Sequence, residues 1–226
     1  GAAKLSQGLG HIVEETDPGI DLVALRLRTS AIAAANSARA LRLRWLSLGR
    51  EPSPNEVEAA TWQFYNYGTK VTGVEYVEAI AATHAAGRKM AAFLANYDVI
   101  LSTVVGGPPP PLGYFDMNGD VARFTERCTE YLGVTPVHNA TGTPAMSVPL
   151  HWTVDGLPVG VHFAGRYGEE STLLRLAAQL ETARAQLAKA QADLTRARDT
   201  SVVDRYRATL NQRKADHGKS QQDVNR

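Results

Sequence analysis

The sequence has little cysteine, little net charge and no long apolar run. Cys128 is the single cysteine among 226 residues, which excludes a disulfide within the chain and a cysteine-built zinc site. The 24 basic and 23 acidic side chains give a formal net charge of +1, so no overall field attracts nucleic acid or an anionic membrane. No apolar run reaches the roughly 20 residues that cross a bilayer. We therefore expect a cytoplasmic protein without nucleic-acid or membrane partners.

The remaining composition is that of an ordinary globular chain. Hydrophobic residues make up 44% and charged residues 21% of the sequence, enough for one substantial core with an appendage. Cys128 lies in a helical pattern whose neighbours supply no histidine base, so we interpret it as a half-buried helix residue rather than a nucleophile.

Apolar periodicity predicts a mostly helical first half. Residues 1–10 resemble the end of a helix, and residues 11–15 a short strand. Three longer helices are predicted over residues 21–47, 56–67 and 73–95. Ser53 or Asn55 is a candidate N-cap of the middle helix.

The second half has strand and turn signals. Residues 97–105 form a β-branched apolar run that ends in a rigid loop, Gly106-Gly107 followed by four prolines, which cannot continue a sheet. A helix is predicted over residues 121–132. Asp155-Gly156 suits the tight turn of a hairpin with arms 146–154 and 157–165. We predict the α/β class: a mixed β-sheet flanked by helices, plus a long C-terminal helix.

The stretch that follows residue 137 carries a family resemblance. Residues 138–150 read His-Asn-Ala-Thr-Gly-Thr-Pro-Ala-Met-Ser-Val-Pro-Leu, and residues 155–166 read Asp-Gly-Leu-Pro-Val-Gly-Val-His-Phe-Ala-Gly-Arg. Together with Thr61-Trp62 and the apolar strand, they resemble the C-terminal part of the amidase-signature hydrolases. The resemblance assigns residues 1–184 to the C-terminal part of an amidase domain.

The resemblance implies a reaction whose catalytic groups the sequence does not contain. Family members hydrolyse small carboxylic amides to an acid and ammonia or an amine, with a nucleophilic serine, a second serine and a lysine, and without metal or organic cofactor. Those groups belong to a Gly-Gly-Ser-Ser-Gly-like stretch and an earlier lysine. Lys4, Lys70 and Lys89 stand in other contexts, and prolines follow Gly106-Gly107. We therefore assign no catalytic residue and expect this chain alone to be inactive.

Two other chemistries stay open as alternatives. Ser102, Ser147, His138, His162 and Asp155 could supply a serine triad, because the fold rather than the sequence order brings a triad together. The sequence has no Gly-x-Ser-x-Gly elbow to support it. A metal site is the other alternative, but the six histidines lack ligand spacing.

Aromatic side chains near the helices and the proline loop are candidates for a substrate pocket. They are Trp62, Tyr65, Tyr114, Phe115 and, beside them, Met117. A rigid loop beside a helix is a natural place to line a cleft. The alternative for Trp62 is core packing, and for the tyrosines a simple surface position.

The last residues, 185–226, depart from the family resemblance. Leucines at three- and four-residue intervals form a seam with alanines, typical of a coiled coil. The seam leucines are Leu173, Leu176, Leu180, Leu187 and Leu194. We predict a helical, partly disordered tail and a possible homo-oligomer through this seam. The alternative function is accordingly that of a non-catalytic helical interaction protein.

Overall fold

The computed structural model describes residues 1–224, with the side chains of residues 1–213. Its elements are α1 (Ala2–Gly8), α2 (Leu22–Ser47), α3 (Ala59–Gly68), α4 (Gly73–Leu94), β1 (Val99–Thr103), α5 (Val121–Leu132), α6 (Pro136–Thr141), β2 (Ala145–Trp152), β3 (Pro158–Gly165) and α7 (Glu170–Val224). The chain divides into two compact units, Gly1–Arg175 and Leu176–Arg226. Within the described residues, no helix is long and apolar enough to cross a membrane.

The two long helices of the first unit begin at side chains that satisfy their first amides. Asp21 precedes α2 and accepts a hydrogen bond from the backbone amide of Ala24 at 2.9 Å. Thr72 precedes α4 and forms a reciprocal capping box with Glu75. Such caps fix the start of a helix through residues that are close in sequence. The helices predicted over residues 21–47 and 73–95 are confirmed to within one residue at each end.

The predicted helix over residues 56–67 is wrong at its start. Ser53 accepts a hydrogen bond from the Asn55 amide at 3.3 Å and begins a 3₁₀ turn at Pro54–Glu56 instead. Val57 is extended, so the backbone leaves the helical region before α3 begins at Ala59.

α2 and α3 cross at a glycine. A Cβ atom on Gly68 would lie 2.0 Å from the carbonyl oxygen of Ala34 and 2.8 Å from the Ala38 Cβ. No other residue permits this approach without moving one helix.

A cluster of buried side chains joins α4 to α2 and α6. Its members are Leu25, Ala86, Met90, Leu94 and Val137.

The sheet has three strands in the order β1-β3-β2, and both pairs are antiparallel. The α/β class is confirmed, but the strand pairing that the structure describes is antiparallel rather than mixed. β2 and β3 form the predicted hairpin, and Gly156 takes the positive φ of 81° that its turn requires. β3 lies between the other two strands, so Ser102 of β1 and Ser147 of β2 both stand opposite His162.

Two further local predictions differ from the structure. Residues 11–15 form no strand, and Ile12 is 91% exposed. Residues 136–141 form the short helix α6, which the sequence did not predict. It begins with a proline and ends where Gly142 takes a left-handed φ of 72°. That glycine ends α6 and turns the chain towards β2.

The second unit consists of the helix α7 from Leu176 onwards. All side chains of residues 185–213 are exposed. Of the seam leucines, Leu187 is 59% and Leu194 is 55% exposed, whereas Leu173 and Leu180 are buried. The predicted helix is present to Val224, and the end of the predicted disordered segment, residues 225–226, lies outside the described residues. The coiled coil and the 184/185 domain boundary stay predictions.

Candidate functional site

Two of the pocket candidates lie in an aromatic core cluster. The Trp62 and Tyr65 rings stack with centroids 5.2 Å apart, and Trp45 meets them edge-on at 6.3 and 5.4 Å. The Trp45 indole donates a hydrogen bond to a Glu56 carboxylate oxygen at 2.6 Å. These contacts hold α2, α3 and the preceding 3₁₀ turn together, and neither Trp62 nor Tyr65 lines the cleft described below.

The other three candidates follow the proline loop. Tyr114 and Phe115 meet edge-on, with ring centroids 5.0 Å apart. The Arg127 guanidinium lies over the Tyr114 ring at 4.2 Å and donates a hydrogen bond to the Tyr114 carbonyl oxygen at 2.6 Å. Arg127 therefore fixes this loop on α5. Of the three, only Met117 reaches that cleft.

The cleft lies between α2, α3 and α5 and encloses about 450 Å³. Its walls are mainly apolar and aromatic, and Phe64 and Tyr67 remain 38% and 44% exposed. The lining residues are Ser37, Leu41, Ala60, Thr61, Gln63, Phe64, Tyr67, Met117, Val121, Phe124 and Thr125. We name this cavity the α2/α3/α5 cleft. The signal for it in the sequence was the aromatic pair Phe64 and Tyr67, which share one face of α3.

Hydrogen bonds fix the turn that forms one wall of the cleft. The first amides of α3 are satisfied by the turn at Met117 and Asn118: Ala60 N donates to the Met117 carbonyl at 2.9 Å, and Ala59 N donates to the Asn118 side chain at 3.2 Å. Asp120 caps α5 through the amides of its first turn. The wall that carries Met117 is therefore fixed to two helices.

A partly buried polar network joins α6 to the sheet. The Ser102 hydroxyl lies 3.1 Å from His162 Nδ1, and the His162 and His138 rings are 4.8 Å apart. His138 Nδ1 lies 2.8 Å from the Thr143 hydroxyl. Burial lowers the pKa of His138 to about 4, helped by the nearby His162, and burial also lowers the pKa of His162. Both rings are therefore neutral at neutral pH.

The serine-triad alternative finds only two of its members together. Ser102 and His162 form a hydrogen-bonded pair, but among the described side chains no carboxylate is bonded to either buried histidine, and Asp155 lies in the hairpin turn. Ser147 stands opposite His162 on β2. The described residues also contain no group of three or more His, Cys, Asp or Glu side chains that could hold a metal ion.

The described residues form neither the lysine–serine contact nor the glycine-rich oxyanion turn that the family resemblance implies. Lys89 Nζ donates to the Gly19 carbonyl oxygen, and no lysine is bonded to a serine in the part of the chain whose side chains are described. The Gly106 amide donates to the Tyr131 carbonyl at 2.8 Å, so it is not free to bind an oxyanion. Burial raises the pKa of Cys128, which keeps its thiol protonated.

Comparison with known proteins gives the class to which this geometry belongs. The Amidase family model matches residues 4–174. The chain is 32% identical to a putative amidase AmiC of Mycobacterium leprae and 29% identical to a 6-aminohexanoate-cyclic-dimer hydrolase of Paenarthrobacter ureafaciens, covering 81% of this chain in each case. A structure of 6-aminohexanoate cyclic dimer hydrolase complexed with substrate superposes with a TM-score of 0.72 over 80% of this chain, at 28% identity.

The chain belongs to the Amidase family. It spans 39% of the length of each of these relatives. The resemblance on residues 138–166 is thus confirmed at the level of the family.

Proposed function

We propose that this chain is part of an amide hydrolase that converts a small carboxylic amide to an acid and ammonia or an amine in the cytoplasm. The family match over residues 4–174 carries the proposal. The nucleophile would be a serine assisted by a second serine and a lysine, in a segment that this sequence does not contain. A hydroxyl needs such a neighbouring base because it is a weak nucleophile at neutral pH.

The α2/α3/α5 cleft supports a role on the substrate side of that reaction. It is preformed, partly apolar and carries a few hydrogen-bonding groups, which are the properties of small-molecule sites. The hydrogen-bonded pair of Ser102 and His162 supports a structural role instead, since His162 is buried and its partner lies on the neighbouring strand. The chain then contributes binding surface, and the missing segment contributes the chemistry.

Complementation tests the proposal directly. The chain would be co-expressed with the N-terminal part of the Mycobacterium leprae relative, and ammonia release from hexanamide and benzamide would be measured. A serine-reactive fluorophosphonate would identify the nucleophile. We expect turnover and labelling only in the complex, with the label on the added segment. Labelling and turnover by this chain alone would contradict the proposal, and so would a stable but inactive complex.

A second candidate is a helical interaction protein, and the exposure of α7 favours it. Leu187 and Leu194 lie one heptad apart and are both more than half exposed, so they are free to pack against another helix. Self-association through this seam would give a mass that rises with concentration. Deleting residues 185–226 should abolish that rise in analytical ultracentrifugation, while replacing Thr195 and Thr200 with serine should not. A constant monomer mass would rule this candidate out.

A further inference from the structure

The proline loop between β1 and α5 presents an apolar tip to solvent. Residues 108–111 are four consecutive prolines, and Leu112 follows them. All of these side chains are exposed except that of Pro110, which is half-buried. Leu112 is 105% exposed, so it stands fully clear of the described part of the chain. We name residues 108–112 the proline tip.

The prolines determine the backbone conformation of the tip. Each proline ring fixes φ at about −65°, and it also excludes the helical region for the residue before it. Residues 108–110 are subject to both restrictions and therefore adopt the polyproline II helix, which has three residues per turn. The tip ends in a turn in which the Tyr114 amide donates to the Pro111 carbonyl at 3.1 Å. Gly113 takes the positive φ of 84° that a type II turn requires, and Leu112 before it stays extended.

A helix with three residues per turn has three edges, and the proline tip exposes two of them. Pro108 and Pro111 lie on one edge, and Pro109 and Leu112 lie on the next. Both edges are exposed, whereas Pro110 on the third edge is half-buried. Proline-rich segments dock in aromatic-lined grooves through prolines at this three-residue spacing. The exposed edges therefore have the arrangement that such a groove binds.

Both ends of the loop are fixed on α5. Before the prolines, the Gly106 amide donates to the Tyr131 carbonyl at 2.8 Å. After them, the Phe115 and Tyr131 rings meet edge-on with centroids 5.4 Å apart, and Arg127 donates to the Tyr114 carbonyl at 2.6 Å. A segment that is already fixed loses less conformational entropy when it binds. The proline tip is therefore preorganised for a partner.

We propose that the proline tip binds a protein partner that carries an aromatic-lined groove of the kind found in SH3, WW and EVH1 domains. The two exposed edges enter the groove, and the Pro110 edge stays against this chain. Residues 99–115 contain no charged side chain, so the contact consists of proline rings, Leu112 and carbonyl oxygens. This surface is separate from the α2/α3/α5 cleft, and the interaction does not depend on the proposed amide hydrolysis.

Titration with isolated domains tests the proposal. The full chain would be added to one isotope-labelled SH3, one WW and one EVH1 domain, and the chemical shifts of each domain would be followed. We expect saturable shifts in the groove of at least one domain, with a midpoint that changes less than about twofold between low and high salt. Replacing a groove tryptophan of that domain with alanine should abolish the shifts. No shift in any domain, shifts outside the groove, or a strong salt dependence would overturn the proposal.

Variants of this chain locate the contact. Replacing Pro108 and Pro111 together with alanine removes one exposed edge and should weaken binding about tenfold or more. Pro158→Ala, which changes an exposed proline at the start of β3, should leave binding within about twofold. Equal effects of these two changes would contradict the assignment of the proline tip.

Leu112→Ala guards against a loss of binding that is caused by unfolding. The Leu112 side chain is fully exposed, so its removal should leave the tryptophan-monitored unfolding transition in place. It should nevertheless weaken binding about threefold or more, because it shortens the second exposed edge. Unchanged binding of Leu112→Ala would show that this edge does not enter the groove and would refute the proposed arrangement.

Discussion

The two units of this chain reach helical structure for different reasons. In the residues up to Arg175, helices are held by buried contacts such as the Gly68 crossing and the Met90 cluster. Over residues 185–213 every side chain is exposed, so the helix depends on its own residues. Alanine, leucine, arginine and glutamine are strong helix formers, and ion pairs such as Arg196 with Asp193 at 3.5 Å add only a few tenths of a kcal/mol each. Helicity alone is therefore no sign of a core.

The tryptophans make this comparison measurable. All three, Trp45, Trp62 and Trp152, belong to the first unit. Tryptophan fluorescence therefore follows the unfolding of the first unit, while far-ultraviolet circular dichroism follows the helices of both. A substitution that changes one signal without the other distinguishes the units.

A proline placed in a helix of each unit should give the largest difference in the free energy of unfolding of the first unit. Ala85 lies exposed in the middle of α4 and Ala192 lies exposed in α7. We expect Ala85→Pro to lower the free energy of unfolding of the first unit by about 3 kcal/mol or more, because the helix it breaks is packed. Ala192→Pro should reduce ellipticity and leave the fluorescence transition in place. If it shifts that transition as far as Ala85→Pro does, the comparison fails. Glycine at the same positions is the milder control.

Replacing each of two helical glycines with alanine distinguishes the effect of helix packing from the effect of helix propensity within the first unit. At Gly68 a methyl group would overlap the Ala34 carbonyl, whereas at Gly87 the nearest atom is the Thr141 carbonyl oxygen at 3.8 Å. Gly68→Ala should cost about 3 kcal/mol in urea unfolding. Gly87→Ala should gain about 0.5 to 1 kcal/mol, because alanine favours the helix. Two changes of the same sign would show that the crossing is looser than described.

The buried histidines should make the first unit sensitive to acid. The pKa of His138 is about 4 in the folded chain and near 6.5 when unfolded, so the unfolded state binds the proton more readily. Stability is then fully present above about pH 6.5 and falls as the pH drops towards 4. The expected loss between pH 7.5 and 5 is about 2 kcal/mol. This part of the loss belongs to His138, so it should disappear in His138→Gln, which keeps only the part due to His162. It should be retained in full in His84→Gln, which changes an exposed histidine on α4. A parallel loss in both variants would assign it to other groups.

Replacing one threonine in each unit with alanine should give the smallest difference in the free energy of unfolding. Thr72 caps α4, and its removal in Thr72→Ala should cost about 1 kcal/mol by fluorescence-monitored unfolding. Thr195 bonds the carbonyl of Gln191 on its own helix, so Thr195→Ala should leave fluorescence unchanged and slightly raise ellipticity. A cost at Thr195 similar to that at Thr72 would indicate that α7 is held by packing there.

Elements with a local signal were predictable from the sequence. Asp21 before α2, the Thr72 and Glu75 box before α4, and Asp155-Gly156 in the hairpin each satisfy or permit a backbone conformation within a few residues. The strand expected at residues 11–15 failed because a β-branched run needs a partner strand, which the sequence does not name. α6 was missed because six residues are too few for a period.

The candidate site was predictable only in part. Met117 was identified because it follows a rigid loop, whereas Trp62 and Tyr65 lie in the core cluster. The cleft depends on how α2, α3 and α5 meet, and residues 37, 64 and 125 are brought together by tertiary contacts that no spacing encodes. The hydrogen bond between Ser102 and His162 likewise follows from strand register.

The order of the strands has a consequence for handling the protein. With β3 in the middle, β1 and β2 form the two edges of the sheet that the structure describes. Pro149 on β2 lacks an amide donor and so blunts that edge, while β1 is a short apolar run without proline or charge. Concentrated or partly unfolded samples should therefore associate through β1 first. A lysine introduced on β1 would be the simplest way to reduce this aggregation.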